Sequence, residues 1–404
     1  MRTVLSAFIL LLLAAIQLYS QEAIQQYFVL DSIIPLNKVG DFGPSSRNII
    51  MAAGDSFLLC YVGTDEDKSD GLSFIRLHLP SKKVDSFTVQ VPNPNFPLSS
   101  LVANKMALNQ RYCVLLFHKS IIVLEFSNNQ LQFKRWIPLQ TPYGYIGIQG
   151  TTIIVGRCYN SHPLDADTPT ALLKINAESG VIGESIYPSF DAIELSHFQP
   201  SHWVDFSSNF IAFSQTLEYK IDIFNKELKR VFTITKNEWN RIDTSALHAI
   251  RQRSERTEPK QIIEELRKSL GEDGQRIIGI NFISDSMLVV CGVANQAKEK
   301  KMRTFYYDIW QLSNGQWKLY HENLKDTKPM GNIVCHAENF PYSGIDYNST
   351  FTKEWTASVR VAPDRKILLQ PGKEYSKIYT ETDNYISRHE PTFQIYIYKL
   401  RIQQ

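Results

Sequence analysis

Short runs of alternating apolar and polar residues cover most of the chain, and helical periodicity is confined to one segment. The stretch YKIDIFNKELKRVFTI, which begins at Tyr219, shows the pattern, because two alternating runs flank the polar residues NKE. Alternation with a period of two is typical of half-buried strands, and a polar turn between two such runs is typical of a hairpin. The pattern therefore predicts an all-β fold.

Five other segments share the form of this hairpin. All but the last pass through polar residues into a second strand, so the hairpin is one of six related units. The five segments are FIRLHLPSKKVDSFTVQV from Phe74, IIVLEFSNNQLQFKRWIPL from Ile121, ALLKINAESGVIGESIYP from Ala171, FYYDIWQLSNGQWKLYHEN from Phe305 and FQIYIYKLRIQQ from Phe393.

A tighter hairpin precedes each unit, and its turn leads into a strongly apolar strand. Two hairpins make four strands, and four-stranded repeats with a period of about 40 residues are typical of β-propeller blades. We therefore predict a six-bladed β-propeller with four-stranded antiparallel blades. The tight turns are AGDS at Ala53, LNQR at Leu108, QGT at Gln149, SSN at Ser207, ISDS at Ile283 and APDR at Ala362.

Segments from the two ends of the chain are predicted to form one blade together. The sixth unit ends with FQIYIYKLRI and lacks an outer strand, whereas QYFVLDSIIPL, from Gln26, is left without a partner. Pairing of these two segments would close the ring and remove the exposed edges that invite aggregation. We therefore predict a ring that is closed by the N-terminal strand.

This strand order and turn pattern resembles the six-bladed propellers of the TolB-like and NHL-like kind, and in particular the exported six-bladed propeller proteins of bacteria. The resemblance covers essentially the whole mature chain and implies a single propeller domain over residues 21–404. It rests on no diagnostic motif, since the sequence has no WD dipeptide, YWTD run, Kelch double glycine or tandem Asp-box. The resemblance therefore implies no catalytic residue.

The N-terminal sequence MRTVLSAFILLLLAAIQLYSQE has the features of a secretory signal peptide. Arg2 precedes an apolar run that is shorter than the roughly 20 residues of a membrane-spanning helix, and small and polar residues follow near Ser20. We expect residues 1–20 to be removed and the protein to be periplasmic or secreted, with no membrane insertion after cleavage. The alternative is an uncleaved anchor. No Cys follows the apolar run, so a lipoprotein is not expected.

Charge and cysteine usage narrow the classes of partner and cofactor. The 404-residue chain carries 43 Lys and Arg against 41 Asp and Glu, so its net charge of +2 disfavours a nucleic-acid partner. Its five cysteines form no CxxC pair, which argues against a zinc site and a disulfide framework. We expect buried thiols, although one pair could bridge in an oxidising compartment. No cofactor is predicted, and a monomer is expected.

The long connections are predicted to lie on one face of the propeller. We call this the top face, where second-to-third and between-blade connections emerge; first-to-second and third-to-fourth turns define the bottom face. Between blades four and five, a helical insertion is predicted at about residues 243–271, capped by Asp243 and Thr257 and stopped by Gly271. It could pack on the rim or form a lid. Long loops on a rigid scaffold often carry function, so we expect the ligand at the top face.

Aromatic and polar residues mark the predicted starts of the innermost strands, at the channel mouth. Aromatic side chains mixed with Arg, Asn and His suit a carbohydrate, peptide or protein ligand. The alternative is that the aromatic residues wedge the blades together. The predicted ligand-binding residues are Arg47, Asn48, Tyr145, His202, Trp203, Arg276 and Trp355.

Two classes of function remain open. The absence of any GxSxG, HExxH or nucleotide-binding motif favours a non-enzymatic binding or protein-interaction propeller, with no catalytic and no metal-binding residue. The alternative is an exported, lactonase-like hydrolase or lyase with a divalent metal in the channel. That alternative would use acidic and amide side chains of the innermost strands, and the candidates are Glu194, Asp205, Asn281 and Glu354.

Overall fold

A computed structural model of the chain shows an all-β architecture, and no helix occurs among the residues it describes. Twenty-three strands form six antiparallel sheets in this part of the chain. The described residues are 28–35, 46–53, 57–64, 71–78, 80–92, 103, 105–117, 119–128, 130–141, 143–156, 171–186, 202–215, 219–236, 275–294, 304–326, 367–374 and 392–400.

The first three complete sheets contain four strands each. The first sheet comprises β2 (Ser46–Ala53), β3 (Phe57–Thr64), β4 (Gly71–His78) and β5 (Val84–Gln90). The second comprises β6 (Lys105–Leu108), β7 (Tyr112–Phe117), β8 (Ser120–Ser127) and β9 (Gln130–Pro138). The third comprises β10 (Tyr145–Gln149), β11 (Thr152–Gly156), β12 (Leu172–Asn176) and β13 (Ile182–Ile186).

The remaining sheets follow the same plan, except that the sixth has three strands in the described residues. The fourth sheet comprises β14 (His202–Phe206), β15 (Phe210–Gln215), β16 (Lys220–Asn225) and β17 (Arg230–Thr235). The fifth comprises β18 (Gln275–Ser284), β19 (Met287–Ala294), β20 (Thr304–Ser313) and β21 (Gln316–Asp326). The sixth comprises β22 (Ile367–Glu374), β23 (Thr392–Leu400) and β1 (Phe28–Pro35), with β23 in the middle.

Successive sheets pack face to face along the chain. Strand order equals chain order in the first five sheets, and the first strand of each packs against the first strand of the next, from β2 through β6, β10 and β14 to β18. Repeated four-stranded units that meet along their innermost strands are the arrangement of a propeller. The structure is therefore propeller-like.

The hydrophobic core is divided into layers between neighbouring sheets. Adjacent residues of a strand point to opposite faces, so each strand contributes to two layers. Trp203 packs in a cluster with Ile277 of the fifth sheet, whereas Val204 packs in a cluster with Tyr145 of the third. The close approach on the third-sheet side requires Gly147, because a Cβ there would lie 2.4 Å from Cγ of Phe206.

Asparagine side chains fix several of the tight turns. The Oδ1 atom of Asn176 accepts hydrogen bonds from the backbone nitrogens of Glu178 and Ser179, at 2.9 and 2.8 Å. Asn225 makes the equivalent bonds to Glu227 and Lys229 in the fourth sheet, at 3.2 and 2.9 Å. Asn is favoured in turns because its side chain replaces a backbone acceptor in this way.

The predicted hairpin at residues 219–234 is confirmed as β16 and β17. The N-terminal strand also pairs as expected, since β1 lies antiparallel to β23 with Phe28 opposite Leu400 and Pro35 opposite Gln394. The predicted helical insertion at residues 243–271 and the predicted first strand of the sixth blade lie outside the described residues. The described part of the chain contains no apolar helix of membrane-spanning length.

The cysteines only partly match the expectation of buried thiols. Cys60 and Cys113 are buried and free, and burial raises the pKa of each thiol well above its usual value. Cys291 is also buried, but it is disulfide-bonded to a partner outside the described residues. One cysteine pair is therefore bridged, which was the less favoured expectation.

Candidate functional site

Strand boundaries show that every long connection of the first five sheets lies at the top face, although β7–β8 (118–119) and β15–β16 (216–219) are short there as well. The longest bottom-face turns have five residues, 79–83 between β4 and β5 and 177–181 between β12 and β13. At the top face, 15 residues separate β11 from β12 (157–171), 15 separate β13 from β14 (187–201), and 39 separate β17 from β18 (236–274). The predicted asymmetry between the two faces is present.

Side-chain hydrogen bonds join the bottom-face turns of successive sheets. The Nδ2 atom of Asn109 donates to the carbonyl oxygen of Gly150 at 2.8 Å, and Nε2 of Gln149 donates to that of Ser207 at 2.9 Å. Nδ2 of Asn209 donates to Oδ2 of Asp285 at 2.6 Å. These contacts run from the second sheet to the fifth and place the first-to-second turns on one common face.

The predicted ligand-binding residues that the structure describes lie at the top-face ends of the innermost strands. Arg47 and Asn48 are the second and third residues of β2, Tyr145 begins β10, His202 and Trp203 begin β14, and Arg276 is the second residue of β18. Strands β10, β14 and β18 are consecutive neighbours, so their entries share one rim, and β6 separates β2 from β10. Trp355 lies outside the described residues.

Arg47 occupies a β-bulge. Ser46 pairs with Thr64 and Asn48 pairs with Gly63, so Arg47 is the extra residue on β2. A bulge disrupts the ladder locally and bends the strand, and bulges are frequent next to functional sites. This backbone irregularity gives the entry of β2 a geometry that the regular strand would not have.

The two predicted aromatic residues are buried between sheets. Trp203 is 2% exposed, and its indole Nε1 donates to the carbonyl oxygen of Ile277 at 3.0 Å. Tyr145 is 5% exposed and packs with Val204. These contacts match the alternative role, in which aromatic residues wedge the blades together. A role of either residue in ligand binding remains a prediction.

A buried ion pair lies where the top-face segment after β17 begins, and sequence reasoning did not find it. Nζ of Lys236 lies 3.0 Å from Oδ2 of Asp308 and 2.8 Å from Oε1 of Glu322, and the Lys236 and Asp308 side chains are 8% and 2% exposed. Because 72 residues separate Lys236 from Asp308, no local pattern could have indicated the contact.

Tyr219 and Trp310 complete this network between the fourth and fifth sheets. The Tyr219 hydroxyl accepts a hydrogen bond from Nε1 of Trp310 at 2.8 Å, and Lys236 lies 5.7 Å from the Tyr219 ring centre. Burial and the neighbouring Asp308 carboxylate raise the pKa of Tyr219 well above its usual value. The network is satisfied internally, so we assign it to the sheet junction rather than to chemistry.

A second charged cluster lies at the bottom face, between the second and third sheets. Arg111 contacts Glu125 through Nε at 2.8 Å and Glu178 through Nη1 at 2.7 Å, and Lys134 lies 2.7 Å from Glu125. Hydrogen bonds from Lys134 and then Arg111 lower the pKa of Glu125. Each charge has an opposite partner, so the cluster fastens the junction.

The enzyme alternative has two of its four candidate side chains in the described residues, Asp205 and Asn281, and both are buried. Oδ2 of Asp205 accepts a hydrogen bond from the backbone nitrogen of Phe282 at 2.7 Å, so Asp205 bridges the fourth and fifth sheets. No group of three or more His, Cys, Asp or Glu side chains within the described ranges is arranged to hold a metal ion. Glu194 and Glu354 lie outside those ranges.

No family model and no curated sequence matches the chain, but solved structures share its fold. A protein from Bacteroides fragilis that is described as exported matches with a TM-score of 0.52 and 8% identity, over 95% of this chain and 97% of that one. A member of the DUF4221 family from Bacteroides vulgatus matches with a TM-score of 0.50 and 9% identity, over 93% and 98%.

The WD40 domain of coronin from Toxoplasma gondii matches more weakly, with a TM-score of 0.39 and 6% identity over 94% of this chain and 89% of that one. Identities this low relate the folds alone. Together with the packing of the four-stranded sheets, the two stronger matches identify the fold as one of the β-propeller kind.

Proposed function

We propose that the chain is an exported six-bladed β-propeller that binds a protein, peptide or carbohydrate at its top face without catalysing a reaction. The observation that carries the proposal is the asymmetry of the two faces. The bottom-face turns of the first five sheets have at most five residues, and the first-to-second turns of the second to fifth sheets are hydrogen-bonded in series, whereas the top face holds connections of up to 39 residues. Long connections on a rigid scaffold are the usual place for binding.

Burial at the two ends of the five-sheet array supports a closed ring. In the first sheet, Leu58 lies opposite Leu77 and Cys60 lies opposite Ile75, and this face points away from the second sheet. All four side chains are at most 3% exposed. An open array would leave this apolar face in water, which would cost about 25 cal/mol for each Å².

The fifth sheet has the matching property. Val289 lies opposite Ile309 and Cys291 lies opposite Tyr307, on the face that points away from Trp310 and the fourth sheet. All four side chains are 0% exposed. A sixth blade that contains β22, β23 and β1 would cover both faces, and in it the first and last strands of the chain are paired.

Engineered cysteines test this closure. Ile33 and Tyr396 are opposite each other in the register of β1 and β23, so the I33C/Y396C variant should form a disulfide on mild oxidation. The I33C/Y398C variant places the second thiol two residues out of register and is the matched control. Equal cross-linking of both variants, or none of either, would contradict closure by this strand pair.

Three observations support export. The N-terminal 20 residues have the pattern of a signal peptide, and buried Cys291 is disulfide-bonded, as is common in oxidising compartments. One of the fold neighbours is described as an exported protein. N-terminal sequencing of protein recovered outside the cytoplasm should find a start near Gln21, and a retained Met1 would contradict cleavage.

The contacts of Asp205 disfavour the enzyme alternative. A metal-binding or catalytic carboxylate in the channel needs a free lone pair toward the channel, but Asp205 is 1% exposed and binds the Phe282 nitrogen of the next sheet. A binding function makes no such demand. It uses the top-face rim, where Arg47, His202 and Arg276 are located on neighbouring or nearby innermost strands.

A thermal-shift screen tests the proposed function. Purified mature protein is heated with cellohexaose, chitohexaose, oligogalacturonate and a mixed tetrapeptide library, and each compound that raises the Tm is recovered and analysed by mass spectrometry. We expect at least one compound to bind unchanged, and a His202→Ala, Arg276→Ala variant to lose the shift. The matched bottom-face control is Lys226→Ala, Lys229→Ala.

Two results would overturn the proposal. Chemical conversion of the bound compound would show an enzyme. If the bottom-face variant loses the Tm shift and the top-face variant keeps it, the ligand binds at the bottom face.

A further inference from the structure

Positive charge is concentrated at the top-face ends of the innermost strands. The first two residues of β2, β6 and β18 include Arg47, Lys105 and Arg276, respectively; those of β14 include the basic residue His202, and those of β10 are uncharged. No Asp or Glu occupies any of these ten positions. Lys105, which sequence reasoning did not select, belongs to this set because β6 lies between β2 and β10.

The innermost strands contribute almost no negative charge to offset this rim. Asp205 is the one acidic residue in the five described innermost strands, and it lies four positions into β14. Its side chain is buried against the fifth sheet, where it accepts the hydrogen bond from the Phe282 nitrogen. The Asp205 carboxylate is therefore part of the junction between the fourth and fifth sheets and not part of the rim.

The burial of the two aromatic residues also bears on the ligand. Trp203 and Tyr145 are at most 5% exposed, so their rings are occupied by contacts between sheets. Stacking on an apolar sugar face is therefore not the recognition mode that these two residues provide. Four of the five described innermost strands have a basic residue among their first two positions at this rim, and cations of one sign around a cleft focus its electrostatic field.

We propose that the top-face rim binds a multivalent anion that carries carboxylate or phosphate groups. The inference rests on the proposed binding function and names the chemical class of its ligand. Arg47 and Arg276 are the main positions, because a guanidinium group donates two parallel hydrogen bonds to a carboxylate or phosphate. Lys105 and His202 lie on other innermost strands of the same rim and are further basic residues of this set.

Calorimetric titration with three anions tests the inference. Citrate presents carboxylates on a small molecule, pyrophosphate presents phosphates, and oligogalacturonate presents carboxylates on a sugar chain. Cellohexaose is the neutral sugar chain for comparison with oligogalacturonate. We expect at least one anion to bind, and R47Q/R276Q to weaken that binding by about tenfold or more, because hydrogen bonds to charged groups are removed. Affinity should also fall between about 50 and 200 mM salt.

The matched control is K82Q/K83Q, which removes the same net charge from an exposed bottom-face turn. Its affinity should equal that of the unmodified protein, and Tm measurements should show that both double variants are folded. Equal weakening by the two variants would show a general effect of net charge and would overturn the inference.

The outcome also separates this inference from the proposed function. If neutral cellohexaose or a peptide binds at the top face and none of the three anions does, the binding function stands and the anionic class is wrong. If nothing binds at the top face, both are wrong. If an anion binds and R47Q/R276Q leaves its affinity unchanged, the rim is not its site.

Discussion

The indole nitrogen of Trp203, on the innermost strand of the fourth sheet, donates to the backbone carbonyl of Ile277 on the innermost strand of the fifth at 3.0 Å. Ile277 is followed by an irregularity of β18, since Ile277 pairs with Gly292 and Gly279 pairs with Cys291. Trp203 therefore bonds the neighbouring sheet beside a bulge. This contact joins two sheets near the predicted channel mouth.

Replacing Trp203 with phenylalanine should remove the hydrogen bond and keep much of the packing. We expect W203F to lower the free energy of unfolding by about 1–3 kcal/mol, because the buried Ile277 carbonyl loses its donor. Urea unfolding followed by circular dichroism measures the change. W136F is the control, since Trp136 is 40% exposed on β9, and it should change stability by about 0.5 kcal/mol or less. Equal effects would contradict the assigned role.

Adding a methyl group at Gly147 should destabilise the junction between the third and fourth sheets. The new Cβ would lie 2.4–2.8 Å from three atoms of Phe206, and such overpacking costs about 1–3 kcal/mol. Thermal unfolding of G147A measures the loss, and the G147A/F206L double variant should recover part of it. G183A is the control, because a Cβ at Gly183 meets only the Lys174 carbonyl at 3.6 Å. If G147A is as stable as G183A, the close contact between Gly147 and Phe206 is wrong.

Breaking the Lys236–Asp308 ion pair should be costly because both side chains are almost fully buried. K236M leaves the Asp308 carboxylate without its cation, and we expect a loss of about 3–5 kcal/mol. K236M/D308L should be more stable than K236M alone, because the buried uncompensated carboxylate is gone and the remaining partner, Glu322, is 43% exposed to solvent. The control is K226M, since Lys226 is 65% exposed and lies 3.8 Å from Glu227. Its effect should be close to zero.

Stability should depend on pH through Glu125. Its pKa is lowered by Lys134 and Arg111, so the ionised group stabilises the folded state at pH values above its unfolded pKa of about 4.5. This contribution is lost as the pH falls through the lower pKa of the folded state. The difference in Tm between the unmodified protein and E125Q should therefore be constant near neutral pH and shrink below about pH 4.5.

The control for this prediction is E184Q, because Glu184 is 72% exposed and lies 3.9 Å from Lys174. Its Tm should follow that of the unmodified protein at every pH. If the Tm difference between the unmodified protein and E125Q grows as the pH falls, ionised Glu125 does not stabilise the folded state.

Much of the sheet structure was predictable because the strands alternate locally. The hairpin at residues 219–234, the turn at Asn109 and the partnership of the N-terminal strand with β23 all follow from period-two runs and turn residues. The entries of β2, β10, β14 and β18 were also predictable, since each of these strands follows a connection and precedes a tight turn.

Contacts between sheets were not predictable. Whether Trp203 faces a ligand or the fifth sheet depends on how two strands 74 residues apart pack together, and its local sequence is compatible with both. The ion pairs of Lys236 were not predictable for the same reason, because Asp308 and Glu322 belong to a different sheet. Lys105 was overlooked because a single lysine at the start of a short strand has no distinguishing pattern.

Hydrogen–deuterium exchange with the compound that gives the largest Tm rise tests the binding face most directly. We expect slower exchange at the top-face ends of β2, β10, β14 and β18, where Arg47, Tyr145, His202 and Arg276 lie, and unchanged exchange in the bottom-face turns at residues 109–111 and 207–209. Protection confined to those bottom-face turns, with no change at the strand entries, would contradict it.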